Sequence, residues 1–468
     1  MSSHRSLCCV ALVVALFGGA CSVTTPRHGF SAIRNTANTG TSSQGAPLAP
    51  GEDPLNPSDP LAGPRAPGRE GSVSSPGSGT GGTNEVSAAS GDAAARRTNP
   101  QDRSSRVGVS KTQIVVSVVA GYSGPFAEVN NQILRGLEVW RDDVNSRGGF
   151  YGRRIVLRLV DHKDTTEGGV AACREVQSNG SYVALVPAGV PGLLSAVDCL
   201  DRAGFPVLYH EAPTFLATKW TRAYGGLWTP YDETARSLAS FVKNVQKDGS
   251  KKLGVIHINQ AYFKRIADRY VAEAKRLGMT VSIVQPVEEN QSSFVSEMRR
   301  MQEAGVGNVA LIVALEAVGI WRDSNAIGYS PRWAAMILTL DFLTKAARNL
   351  ASGVQGLRPY ATVDTPAFQK FRQRAQELGY QIDAFAGEQF YSFGAGLSLG
   401  EGLRRAGTDP TRNSLFAALN SIKNYNNNIQ APITWGPQHY TGTEASFPVV
   451  CCDANWNWKR LGPPKERF

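Results

Sequence analysis

After its first 21 residues, this 468-residue chain has no stretch of 18 uninterrupted apolar residues. No such segment is long enough to cross a bilayer as a helix of about 20 residues. It has no CxxC, and no histidine stands at zinc-ligand spacing from Cys173, Cys199, Cys451 or Cys452. A structural zinc site lacks its ligand pattern. No GxSxG surrounds Ser123, and spacing assigns it no His–Asp partner, so the signature of a serine hydrolase is missing. Charge is sparse at 19%, and the densest basic runs are pairs: Lys251-Lys252, Arg299-Arg300 and Arg404-Arg405. No basic stripe with interleaved aromatics forms, which argues against nucleic acid as a partner.

Aromatic residues are scarce in one region. Between Ser22 and Arg106 the only one is Phe30, while 10 of the 26 prolines and 12 of the 48 glycines lie there. Such a segment buries too little apolar surface to offset its ordering entropy, so 22–106 reads as a disordered linker. Residues 1–106 contribute +2 to the net charge of +10 and the remainder +8, spread thinly. That charge identifies no partner.

What is present begins with an address. Residues 1–21 carry His4 and Arg5, an apolar run from Leu7 to Phe17, and Gly18-Gly19-Ala20 before Cys21. This is the layout of a secretory signal. The small residues before Cys21 resemble the lipobox of bacterial lipoproteins, in which that thiol is acylated; Gly18 stands where the family prefers Leu. The resemblance implies a protein on the outer face of the bacterial cytoplasmic membrane, held by a lipid on Cys21 and a flexible stalk. Export places the remaining cysteines in an oxidising compartment. Cys173 and Cys199 fall on successive predicted helices and are expected to pair. Cys451-Cys452 is open between a vicinal disulfide, two free thiols and a swapped pairing.

From residue 112 short β-branched runs alternate with amphipathic segments. Strands are expected at 113–119, 155–160, 182–186 and 206–209, with helices at 129–146, 166–178 and 193–203 between them. The rhythm repeats with strands at 252–258, 281–285, 308–313 and 335–338. Helices follow at 367–378, 390–405 and 411–421. Regular βαβ alternation calls for doubly wound parallel sheets. The expected fold is α/β, two such lobes joined by a multi-strand hinge: 107–231 with 341–445, and 232–340 with 446–468. Ligands of such sheets bind beyond the carboxyl ends of the strands. The glycines of Gly305-Val306-Gly307 follow a helix and enter a strand, the wrong side for a dinucleotide site. Gly394-Ala395-Gly396 reads as close helix packing. His162, His210 and His257 end or follow strands and are placed to approach a cleft. No cofactor or metal is expected.

Residues 118–136 (VVAGYSGPFAEVNNQILRG), then 143–155 (DVNSRGGFYGRRI) and Asp161, resemble the opening of the type I periplasmic substrate-binding proteins. More closely they are similar to the branched-chain amino acid (Leu/Ile/Val-binding) receptors of ABC transporters. Further matches are 203–207, the Gln260-Ala261-Tyr262 turn, and 391–407. The resemblance implies a binding protein, not an enzyme, that takes a small molecule between its lobes and delivers it to an ABC permease. A ligand-sensing or scaffold role on a membrane partner is the alternative.

Carried over by residue, the resemblance puts Tyr122, Ser123 and Gly124 at the cleft, with Tyr262 as a ligand contact and Asp341 as the carboxylate for a ligand amine. Where the family offers hydroxyls and amides to a ligand carboxylate, this chain has Ala188-Gly189-Val190-Pro191-Gly192, with no hydroxyl. Thr214 supplies the other family hydroxyl only with a gap; ungapped, Ala212 stands there. Losing a charge-assisted partner costs about 1.5–3 kcal/mol, which points away from an ordinary α-amino acid. A less polar, aromatic or acyl ligand suits Tyr122, Phe126, Tyr262 and Phe263.

Overall fold

The computed structural model describes residues 106–468, apart from 125, 211, 337–339, 384 and 438–439. The expected leader, Cys21 and the tract up to 105 lie outside the described residues. The β-branched runs form two sheets. β1 (Gln113–Ala120), β2 (Arg154–Asp161), β3 (Val183–Val186), β4 (Val207–Tyr209) and β5 (Ala223–Tyr224) make the first, parallel throughout in the order β2-β1-β3-β4-β5. The helices that cross between its strands are α1 (Ala127–Ser146), α2 (Thr166–Ser178) and α3 (Gly192–Arg202), followed by the short α4 (Thr214–Ala217). In α1, Ile133, Leu137, Trp140 and Val144 recur at helical spacing, and all four are buried.

The second sheet begins after α5 (Tyr231–Asn244). Its parallel strands are β6 (Leu253–Ile258), β7 (Val281–Val287), β8 (Asn308–Ile312), β9 (Arg332–Ala335) and β10 (Gln355–Arg358). β11 (Phe447–Cys451) and β12 (Trp458–Arg460) join antiparallel at the edge, giving the order β12-β11-β10-β9-β8-β6-β7. α6 (Ala261–Arg276), α7 (Val295–Glu303), α8 (Ala317–Ala326) and α9 (Asp341–Ala347) are its connections.

The chain then returns to the first sheet with α10 (Pro366–Glu377), α11 (Ala386–Ala406) and α12 (Arg412–Asn420). α11 packs along α1 and α12. Gly396 receives the Trp140 ring there, since a Cβ would come within 2.4 Å of it. Two expectations need correction. The return to the first lobe does not begin at 341: α9 packs on α8, and β10 pairs with β9 and β11, so 341–358 stays with the second sheet. The strand expected at 335–338 begins earlier, as β9 at Arg332, and 337–338 lie outside the described residues.

Three segments cross between the sheets, at 225–230, 359–365 and 441–446. The first and third are joined by a hydrogen bond from the Thr229 hydroxyl to the Ala445 carbonyl at 2.7 Å, and the Gly225 N–H donates to the carbonyl of Tyr440, just before the third, at 2.7 Å. Cys173 and Cys199 are bonded between α2 and α3. With Cys173 and Cys199 bonded to each other the swapped pairing is excluded, and the sulfurs of Cys451 and Cys452 stand against each other.

Candidate functional site

The carboxyl ends of the parallel strands face one another across the crossings, and a cavity of about 130 Å³ lies among them. Nearly every strand end contributes. Phe126 follows β1, Ala188, Gly189 and Val190 follow β3, and His210 follows β4. From the second sheet, Ile258, Gln260 and Phe263 end or follow β6, Glu289 follows β7 and Ala314 follows β8, with Leu340 and Tyr360 after β9 and β10. Trp228 and Tyr231 come from the first crossing and the start of α5, and Glu388 and Tyr391 from the first turns of α11.

The loops after β1 and β2 are held by carboxylates. Asp161 accepts from the Tyr122 N–H at 2.9 Å, the Ser123 hydroxyl at 2.5 Å and the Lys163 N–H at 2.8 Å. Burial opposes its charge, yet these hydrogen bonds win and hold its carboxyl below the usual range. His162 accepts the Asp164 N–H at Nδ1 (3.1 Å), which leaves the proton on Nε2, 2.9 Å from the Ala188 carbonyl it donates to. The loop after β3 wraps this imidazole. Gly189 has φ +95°, and a Cβ there would come within 2.4 Å of Asp164 and 2.5 Å of His162, so only glycine fits.

Aromatic rings form the walls. Trp228 has its centroid 4.2 Å from His210, 5.5 Å from Tyr360 and 5.4 Å from Tyr391. His210 is buried, and burial lowers its pKa well below the ordinary value, so it stands neutral. Glu388 is 2% exposed; its Oε1 accepts from the Tyr360 hydroxyl at 3.3 Å, and its Oε2 is buried with no hydrogen-bond partner. Burial first, then the neighbouring charge of Asp341, raise the Glu388 carboxyl to about 8. Glu289 at the rim is also raised, by burial and by Glu316, and accepts from the Gln260 side-chain amide at 2.9 Å.

Of the residues expected at the site, Ala188 and Gly189 line the cavity, as do Phe126, Phe263 and His210. The others do not. Tyr122 turns its hydroxyl to the Val118 carbonyl at 3.3 Å, and Ser123 is spent on Asp161. Gly124 packs over Asp164, where a Cβ would come within 2.1 Å. Thr214 faces Asp232, bonded through its N–H at 2.9 Å and through its hydroxyl. Tyr262 is buried behind Phe263, with ring centroids 5.1 Å apart. Asp341 is fully buried and bound to Arg358 at 3.0 and 2.7 Å, so it cannot serve a ligand. Sequence reasoning missed Trp228, Tyr231, Tyr360 and Glu388. One signal was available for Glu388: it precedes Tyr391, inside a quoted match, by one helical turn.

A larger groove of about 880 Å³ runs past Phe371, Phe393 and Ile429. It shares no lining residue with the strand-end cavity, and its one acid among the described lining residues, Asp143, is already bound by Arg147 and Arg374.

The sequence model of the periplasmic binding protein family matches residues 113–451. The Leu/Ile/Val-binding protein homolog 3 of Brucella melitensis is 28% identical over 196 residues, 41% of this chain and 52% of that one. The Leu/Ile/Val-binding protein BraC3 of Rhizobium johnstonii is 25% identical over 199 residues, with the same shares of 41% and 52%. The chain spans about half the length of these curated relatives. Among solved structures, a branched-chain amino acid ABC transporter protein from Thermus thermophilus with bound valine superposes with TM-score 0.67 at 16% identity, covering 76% of this chain and 97% of that one. A solute-binding protein from R. palustris in complex with benzoate gives 0.64 at 17% identity, covering 75% and 97%. A fatty acid ABC transporter substrate-binding protein from Thermomonospora curvata gives 0.66 at 16%, covering 77% and 94%. At these identities the likeness is one of fold.

Proposed function

The chain belongs to the periplasmic binding protein family, and from that premise we propose that it captures a small, largely apolar solute between its lobes and passes it to an ABC permease. The observation that carries this reading is the cavity at the strand ends, walled by rings from both sheets and lacking any serine or threonine among its described lining residues. A cavity near 130 Å³ compares with one of about 150 Å³ that accepts a benzene ring. The similar proteins are named for Leu/Ile/Val, valine, benzoate and fatty acid, all small molecules with an apolar part.

Capture works by closure. Arg265 of α6 stacks on Phe215 of α4 at 3.6 Å, a contact between the lobes beside the cleft. A ligand touching both sets of loops favours the closed arrangement, with no bond made or broken. Outside the described residues, Cys21 is proposed as the lipid site that holds the protein at the outer face of the cytoplasmic membrane.

Native mass spectrometry of the purified protein tests the reading directly. A retained small molecule, lost in Trp228→Ala, is the expected result. A protein that retains nothing and shows no saturable thermal shift with amino acids, aromatic acids or amines would overturn it.

A further inference from the structure

The charge around the cavity points in one direction. Its described lining carries two carboxyl groups, Glu289 and Glu388, and no lysine, arginine, serine or threonine. Asp164, whose charge acts on Glu289 across the cleft, adds to the negative field. The nearest buried cation, Arg358, commits its terminal nitrogens to Asp341 and lies under the Tyr360 ring at 4.1 Å. A ligand carboxylate in this cavity meets two acids and no lysine or arginine, and the side-chain donors among the described lining residues, the tyrosine hydroxyls and the Asn130 and Gln260 amides included, are uncharged. A ligand cation meets six rings (Phe126, Trp228, Tyr231, Phe263, Tyr360 and Tyr391) and two carboxyls. Ring faces attract ammonium ions most strongly where water is excluded.

We propose that the cleft takes an organic amine with an apolar or aromatic body and no carboxylate, its ammonium held by Glu388 on the cavity floor and Glu289 at the rim. This rests on the solute-binding reading above. The Oε2 of Glu388, a buried oxygen without a hydrogen-bond partner, is the atom the proposal assigns to the ammonium. Glu388 faces Tyr360 directly and feels the Asp341–Arg358 pair and Lys345 of α9, while His210 is neutral in the same ring stack. With no ligand cation beside it that carboxyl holds its proton to about 8. Entry of a cation therefore releases a proton, and affinity rises as pH goes from 6.5 toward 8.

The test uses four probes built on one ring: benzylamine, phenylglycine, benzoate and benzyl alcohol, titrated calorimetrically at pH 7 into the purified protein. Benzylamine is expected to bind about tenfold or more tighter than benzyl alcohol and phenylglycine, with benzoate weakest. Glu388→Gln should weaken benzylamine about tenfold and leave benzyl alcohol unchanged, and repeating the titration in a second buffer should reveal proton release. Glu289→Gln, at the exposed rim, provides a second variant if the first folds poorly. Benzoate or phenylglycine binding as tightly as benzylamine, or indifference to both variants, overturns the amine assignment. If benzoate binds and Trp228→Ala abolishes it, the cleft reading stands and only the ligand class falls. If no probe binds, the solute retained in native mass spectra decides: a nitrogen base without a carboxylate supports the proposal, an acid or amino acid overturns it, and no retained solute overturns both.

Discussion

Arg358 holds Asp341 through two parallel hydrogen bonds, Nη1 to Oδ1 at 3.0 Å and Nη2 to Oδ2 at 2.7 Å, and neither side chain reaches solvent. Asp341 also accepts the Trp458 N–H at 3.3 Å. One carboxylate thus ties α9, β10 and β12 together beneath the cleft. Its charge is spent on structure, and it is Glu388, not Asp341, that lines the cavity.

Removing one member of a buried pair leaves the other without compensation. Asp341→Ala should therefore cost about 3–5 kcal/mol, read from urea unfolding midpoints. Replacing both, Asp341→Leu with Arg358→Met, should recover most of that loss, because well-packed apolar groups can substitute for such pairs. A loss below about 1 kcal/mol in the single variant would put the pair among weak surface contacts.

Stability should fall as pH rises from 6.5 to 8. Glu388 titrates near 4.5 in an unfolded chain and at about 8 when folded. Across that interval the unfolded chain has shed a proton that the folded chain keeps, so the slope is negative, up to about 1.4 kcal/mol per pH unit for one group. Asp164 and Glu289, also raised by burial, act with the same sign. His210 acts oppositely, but only below about 6.5, where an unfolded histidine gains the proton that the buried ring refuses. Melting temperatures of ligand-free protein between pH 6.5 and 8 should fall, and Glu388→Gln should flatten the trend. An unchanged trend would show that Glu388 titrates normally.

The sheets were legible because a parallel strand buried on both faces leaves a continuous β-branched run, as in QIVVSVV of β1. Strand ends were less so. β9 begins at Arg332 and Trp333, ahead of the apolar run that reads as the strand. The site was legible in part, at Ala188 and Gly189 where the backbone carries it and at Phe126, Phe263 and His210, which follow strand ends. Asp341 misled because its partner stands 17 positions away across α9 and β10, a relationship no local spacing expresses. Glu388 was hidden by the apolar character of α11, which is buried on most of its surface; a helix apolar all round has no moment to mark the functional face.

The Cys173–Cys199 bond closes a loop across 26 positions between α2 and α3. Constraining the unfolded chain over that length contributes about 3 kcal/mol. Cys173→Ser with Cys199→Ser should lower stability by about that amount and leave ligand affinity unchanged, since neither residue lines the cavity. The double variant leaves Cys451–Cys452 intact, which a reducing agent would not. An affinity loss without a stability loss would contradict a purely structural role.

Where the first and third crossings meet, Gly226 has φ +86°, and a Cβ there would come within 2.8 Å of the Gly442 Cα and 2.9 Å of the Thr441 carbonyl. Backbone cannot move aside as a side-chain end can. Gly204, at the end of α3, has φ +68° with nothing within 4 Å of an added Cβ. Gly204→Ala therefore isolates the left-handed strain, about 1 kcal/mol. Gly226→Ala should carry that strain plus a displaced crossing, for a total of about 2–4 kcal/mol by chemical unfolding. Because the two crossings connect the lobes, Gly226→Ala should also alter the compaction that ligand produces in small-angle X-ray scattering, and Gly204→Ala should not. Equal effects of the two substitutions on stability and compaction would mean that the crossings yield freely, removing Gly226 as a determinant of how the lobes close.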